Sequence, residues 1–79
     1  NRIEYKVFNL GQVDQLVEKY NLPEFSTTLL YINSLVSQTD YVKILAVGAI
    51  SKPVNFKVDA ISQKAKAAIE AAGGTVEIN

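Results

Sequence analysis

The chain has 79 residues, 48% hydrophobic and 20% charged, with eight Lys and Arg balanced by eight Asp and Glu. That length allows one small domain, residues 1–79, which buries only about 60% of the surface its unfolded form exposes. With no Cys and no His, it has no disulfide and no structural zinc to support it, no redox chemistry, and neither the commonest general base nor the commonest metal ligand, so packing must carry the fold.

In chain order, Glu4 to Leu10 carries polar residues at 4 and 6 and apolar ones at 5 and 7, which predicts a strand with Tyr5 and Val7 facing inward and Gly11 ending it. Val13, Leu16, Val17 and Tyr20 then fall at i, i+3, i+4 and i+7, the stripe of an amphipathic helix over 12–20 that Asn21-Leu22-Pro23 stops. Ser26 is placed to cap a short helix carrying Leu29, Leu30 and Ile32, with Asn33 as a left-handed terminator. Tyr41 to Val47 is β-branched and apolar and reads as a strand closed by Gly48. Val54 to Asp59 alternates apolar with polar, the signature of a half-buried strand. Ser62 caps an Ala-rich helix from Gln63 to about Ala72, ended by Gly73-Gly74, and Thr75 to Ile78 is a short closing strand. The order predicts an α/β domain: a small mixed sheet with packed helices. Within the last helix, Ala65, Ala68, Ile69 and Ala72 form an apolar stripe small enough to let its axis approach the sheet closely.

No apolar run approaches the ~20 residues of a membrane span, and the polar, charged start does not read as a signal peptide. The absence of Met predicts a fragment or a processed product. The neutral total hides an asymmetry. Residues 1–40 hold three bases and five acids, whereas residues 41–70 hold Lys43, Lys52, Lys57, Lys64 and Lys66 against Asp59 and Glu70, so an anionic partner is expected on the second half.

Catalytic constellations are missing. Ser62 and Lys66 are spaced Ser-x-x-x-Lys rather than the Ser-x-x-Lys of serine nucleophiles with a lysine base, and Ser62 is better used as a cap. The acids are scattered, Lys66 and Glu70 are an i, i+4 surface pair, and Gly73-Gly74 follows a helix, which makes it a stop rather than a phosphate loop. A base-stacking platform needs aromatics side by side on an open sheet face with basic residues between them; Phe56 falls on the apolar phase of its strand, and Tyr5 and Tyr20 suit core edges. The start of the last helix is more informative. Lys64 and Lys66 stand where the helix dipole prefers acids, beside a Ser cap and free N–H groups, an arrangement suited to phosphate.

Lys43-Ile44-Leu45-Ala46-Val47-Gly48-Ala49-Ile50, then Val54-x-Phe56, then Ile61-Ser62-x-x-Ala65-x-x-x-Ile69-Glu70-Ala71-Ala72-Gly73-Gly74, resembles the C-terminal signature of the bacterial-type large-subunit ribosomal protein L-fifteen and L-eighteen-e family. Asn1-Arg2-x-Glu4-Tyr5 resembles the junction where that family's globular domain begins. The resemblance implies an irregular β-β-α superhelical layer and a structural constituent of the large ribosomal subunit that binds its rRNA and neighbouring ribosomal proteins. It implies no enzyme activity, cofactor, small-molecule substrate or membrane, and a place in the ribosome, cytoplasmic or organellar. It also implies that a basic, Gly-rich N-terminal arm would precede Asn1. Together with the basic half it singles out Lys43, Lys52, Lys57, Ser62, Lys64 and Lys66 as rRNA-binding residues, with Lys57 matching the usual strand lysine. The chain departs from the family pattern at Ala46 and Asn33, where Gly is frequent, and at Asp59, an acid beside that lysine. The competing reading is a free-standing protein-interaction module without RNA binding.

Overall fold

The computed structural model describes residues 4–79, so the Asn1-Arg2 part of the junction motif lies outside the described residues. Among the described residues nine elements follow one another: β1 (Tyr5–Asn9), α1 (Leu10–Tyr20), β2 (Phe25–Ser26), α2 (Thr27–Ile32), β3 (Tyr41–Leu45), β4 (Asn55–Val58), β5 (Ala60–Ile61), α3 (Gln63–Ala71) and β6 (Thr75–Ile78). The odd strands form one parallel sheet in the order β1-β3-β5, and the even strands form a second in the order β2-β4-β6. The chain therefore winds through three turns, each giving one strand to each sheet. A helix separates the two strands in the first and third turns, and a loop over 46–54 does so in the second. The α/β class and superhelical layout are those expected, whereas the strands form two sheets of parallel pairs in place of one small mixed sheet. The two-residue strands β2 and β5 are additions to the expected order, too short to show a period.

Alternation on β4 places Phe56 and Val58 in the core, where Phe25, Val42, Ile44, Ala65 and Ile69 are also fully buried. Phe25 stands edge-on to Phe8 at 5.5 Å and tilted against Phe56 at 5.4 Å, a chain of rings bridging the two sheets. Each fully buried side chain of this size contributes about 1.5–3 kcal/mol, and each favourable aromatic pair about 0.5–1.5 kcal/mol more.

β1 corrects one expectation. Phe8, in register with the buried Ile44, supplies its inward face, while Tyr5 and Val7 point outward and are 39% and 48% exposed. Gly11 belongs to α1 rather than ending β1, because Gln12 Oε1 accepts the Asn9 N–H at 2.8 Å and starts the helix earlier. Asn21, at φ 54°, closes α1 in the left-handed region. In α2, Ser26 Oγ accepts from Leu29 N at 3.1 Å as expected, but Ile32 is 64% exposed and Asn33 is not left-handed. Ser34 takes that conformation instead, at φ 63°, while Asn33 Nδ2 donates to the Leu29 carbonyl at 2.8 Å.

At the other end, Ser62 Oγ accepts from Ala65 N at 3.2 Å and Gly74 N donates to the Ile69 carbonyl at 2.9 Å, so α3 is capped at both ends as its sequence predicts. Its stripe packs inward, with Ala65 and Ile69 fully buried and Ala68 half-buried against the core.

Candidate nucleic-acid interface

Lys43 lies on the outward face of β3, in register with Val7 on one side and Ala60 on the other. Lys57 lies on the exposed phase of β4, in the other sheet, with its ammonium 3.6 Å from Glu77 on β6. Lys52, in the loop between β3 and β4, reaches Glu18 of α1 at 3.6 Å. Both pairs are solvated, so each is worth about 0–1 kcal/mol, and a phosphate reaching either lysine meets a partly neutralised charge.

Ser62, Lys64 and Lys66 open α3. The first turn of this helix holds no acid, and among the described residues neither lysine is part of an ion pair, Lys66 being unpaired with Glu70. Residues two apart on a helix point to opposite sides, so Lys64 and Lys66 diverge, while Lys66 shares the side of the Ser62 cap. The six residues therefore do not form one patch. They fall into a helix-terminal group, a sheet-face lysine and two acid-paired lysines.

Asp59, the acid beside the strand lysine, sits where the chain passes from β4 to β5. Its Oδ2 accepts from Val42 N at 2.9 Å and from Thr27 Oγ1 at 3.1 Å, and its Oδ1 accepts from Asn79 Nδ2 at 3.2 Å. An acid is needed there as a multiple acceptor, and its carboxylate is engaged by these donors rather than by the lysines of α3.

The pattern of residues did not foretell what the outward face of the β1-β3-β5 sheet presents. Tyr5 and Tyr41 are in direct register on adjacent strands, their rings perpendicular with centroids 6.2 Å apart. Tyr41 is 44% exposed. The Lys43 ammonium lies 5.7 Å from the centroid of the Tyr5 ring, within cation–π range. Two aromatics and a lysine thus stand side by side on an open face, contrary to the placement of Tyr5 at a core edge.

Other features carry less chemistry. An open cleft of about 430 Å³ lies between Lys6, Tyr31 and the 34–40 loop, and one of about 480 Å³ lies beside Thr27 and Tyr41. In that loop the Ser37 N–H donates to Asp40 Oδ2 at 2.8 Å and, with help from the Ser37 hydroxyl and the Lys6 charge, holds the Asp40 carboxyl below its ordinary range. Among the described residues no three acids gather as a metal cage would require, and no helix is long and apolar enough to cross a membrane.

Curated relatives align over nearly the whole chain. Large ribosomal subunit protein uL15 of Bacteroides thetaiotaomicron is 38% identical over 76 residues, covering 96% of this chain and 51% of the relative. The protein of the same name from Amoebophilus asiaticus is 38% identical over 78 residues, covering 99% and 51%, and that from Porphyromonas gingivalis is 40% identical over 76 residues, covering 96% and 51%. The chain thus spans about half the length of the curated relatives it matches. The family model for the ribosomal proteins L-fifteen and L-eighteen-e of the 50S subunit and L-twenty-seven-A of the 60S subunit matches residues 7–77, a span running from β1 into β6 that takes in both sheets and all three helices, and to that family the chain belongs.

Proposed function

We propose that residues 1–79 act as one globular domain of a large-subunit ribosomal protein, a structural constituent that binds large-subunit rRNA and neighbouring ribosomal proteins. The observation that carries this reading is the family match over 7–77. On this reading the protein resides in the ribosome, in a bacterial cytoplasm or an organelle, and its role is assembly rather than catalysis.

The physical chemistry supports a division of labour among the six candidates. Lys64 and Lys66 flank a helix start where their charges run against the local dipole, so they are assigned as the principal phosphate contacts of this domain, with Ser62 fixing that start by accepting the Ala65 N–H. Lys43 is assigned to RNA on the sheet face. Lys52 and Lys57 are assigned as secondary contacts, because a phosphate there must compete with Glu18 and Glu77. The test is reconstitution of large subunits with the full-length protein carrying Lys64→Glu and Lys66→Glu, scored by co-sedimentation. Reduced incorporation is expected, because two attractive phosphate contacts become repulsive. Incorporation equal to the parent would remove both lysines from the interface.

A further inference from the structure

We propose that the outward face of the β1-β3-β5 sheet is a stacking site for an unpaired base of single-stranded RNA, held by Tyr5 and Tyr41, with Lys43 taking the adjoining phosphate. The inference deepens the ribosomal reading above and rests on it.

The perpendicular Tyr5 and Tyr41 rings, 6.2 Å apart, form a corner in which a base laid flat on one ring meets the edge of the other. Val7, in register with Lys43, continues the apolar floor, and Lys43 brings its cation beside the Tyr5 ring. Aromatic faces plus an adjacent cation suit a nucleotide, whose base stacks while its phosphate pairs.

The nearby acids leave that charge available. Asp40 is turned to the Ser37 N–H, and Asp59 is engaged by Val42, Thr27 and Asn79. Glu4, just before β1, is the remaining acid close in the chain. The area also favours a base over a protein. A stable protein partner needs about 800 Å² on each side, whereas tyrosines of about 150–250 Å² each, exposed by about two fifths, supply with Val7 well under half of that.

The experiment titrates the 79-residue chain, its tyrosine rings isotope-labelled, with single-stranded hexa-adenylate, with an RNA duplex of equal length and with an acidic peptide of equal charge. Hexa-adenylate should move the ring signals of Tyr5 and Tyr41 upfield, leaving Tyr20 and Tyr31 as internal controls. Tyr41→Ala should weaken binding by roughly tenfold and Tyr41→Phe should preserve it. Lys43→Gln should lower the salt slope of log K by about 0.7. Both tyrosines are surface residues, and the ring shifts in the parent chain test the site without any variant.

Binding that shifts only the amides of α3 overturns the platform while leaving the ribosomal reading intact. Equal affinity for the duplex, ring shifts with the acidic peptide alone, or no ring shift at millimolar hexa-adenylate also overturns it. Stacking at both rings in a protein whose full-length form fails to enter large subunits would retain the platform and discard the ribosomal reading.

Discussion

Asp59 and Val42 bond to each other twice: the Val42 N–H donates to the Asp59 carboxylate at 2.9 Å, and the Asp59 N–H donates to the Val42 carbonyl at 3.1 Å. With Thr27 and Asn79 on the same carboxylate, one side chain ties together segments from all three turns of the winding. Asp59→Ala should therefore destabilise the chain by about 1–3 kcal/mol, since it leaves the N–H of a buried residue without its acceptor. Asp59→Asn, which keeps one acceptor oxygen, should lose less. Urea denaturation checks both, and an unchanged midpoint for the alanine variant would reduce Asp59 to a surface charge.

The two glycines that end α3 should differ in what they tolerate. A Cβ on Gly74 would stand 2.1 Å from the Val54 carbonyl oxygen, a backbone atom, whereas one on Gly73 meets only Pro53 Cβ at 3.5 Å. Gly73 is at φ 91°, so Gly73→Ala should cost about 1–2 kcal/mol of backbone strain. Gly74→Ala must instead move β6 off Val54, and its loss should exceed that of Gly73→Ala in the same denaturation experiment.

How legible the sequence was follows from this geometry. Helical stripes, both serine caps, the Gly73-Gly74 stop and the β4 alternation were readable because each is set by local spacing. The phase of β1 was not. With apolar residues at 5, 7 and 8, its inward face is decided by pairing with β3, where Val42 and Ile44 must be buried and Tyr41 and Lys43 therefore face out. Transferring that phase across the register would have exposed Tyr5, but the register was not in the sequence. Among the site residues, the Ser62 cap was readable locally, whereas the pairing of Lys52 with Glu18 and Lys57 with Glu77 depended on contacts far apart in the chain.

Close packing of α3 rests on small side chains. Ala68 is half-buried against the core between the fully buried Ala65 and Ile69, so Ala68→Leu should overpack the contact and destabilise by roughly 1–3 kcal/mol. A denaturation midpoint equal to the parent would mean that the larger side chain escapes into solvent.

Asp40 gives a pH signature. Its carboxyl is held below the ordinary range chiefly by the Ser37 backbone N–H, so the folded state favours its ionised form. The resulting stabilisation is fully present above the unfolded-state value, near pH ~4, and is lost as pH falls through the lower folded-state value. In an NMR titration the Asp40 carboxyl and the Ser37 amide should share one midpoint, below the ordinary range of an aspartate carboxyl. Asp40→Asn should remove that acid-range step from the Ser37 amide. A Ser37 amide that still titrates in the asparagine variant would trace the step to another group.

Charge reversal at the start of α3 separates folding from binding. Lys64 and Lys66 are exposed, the first turn holds no acid, and both side chains add positive charge to the positive end of the helix dipole. Placing Glu at both positions puts negative charge within reach of that dipole, an effect of about 0.3–1 kcal/mol per favourable residue, larger for Lys64 because it lies nearer the end. The isolated chain carrying both substitutions should therefore unfold at slightly higher urea than the parent, and the gain should shrink as salt screens the interaction. In the full-length protein the same two substitutions should reduce entry into large subunits. Stability and assembly would then move in opposite directions, which a purely structural role for these lysines cannot produce. A variant that is more stable and assembles as well as the parent would show that the helix start faces solvent in the ribosome, and would leave the sheet face bearing Tyr5, Tyr41 and Lys43, with the acid-paired Lys52 and Lys57, as the remaining candidate contacts with RNA.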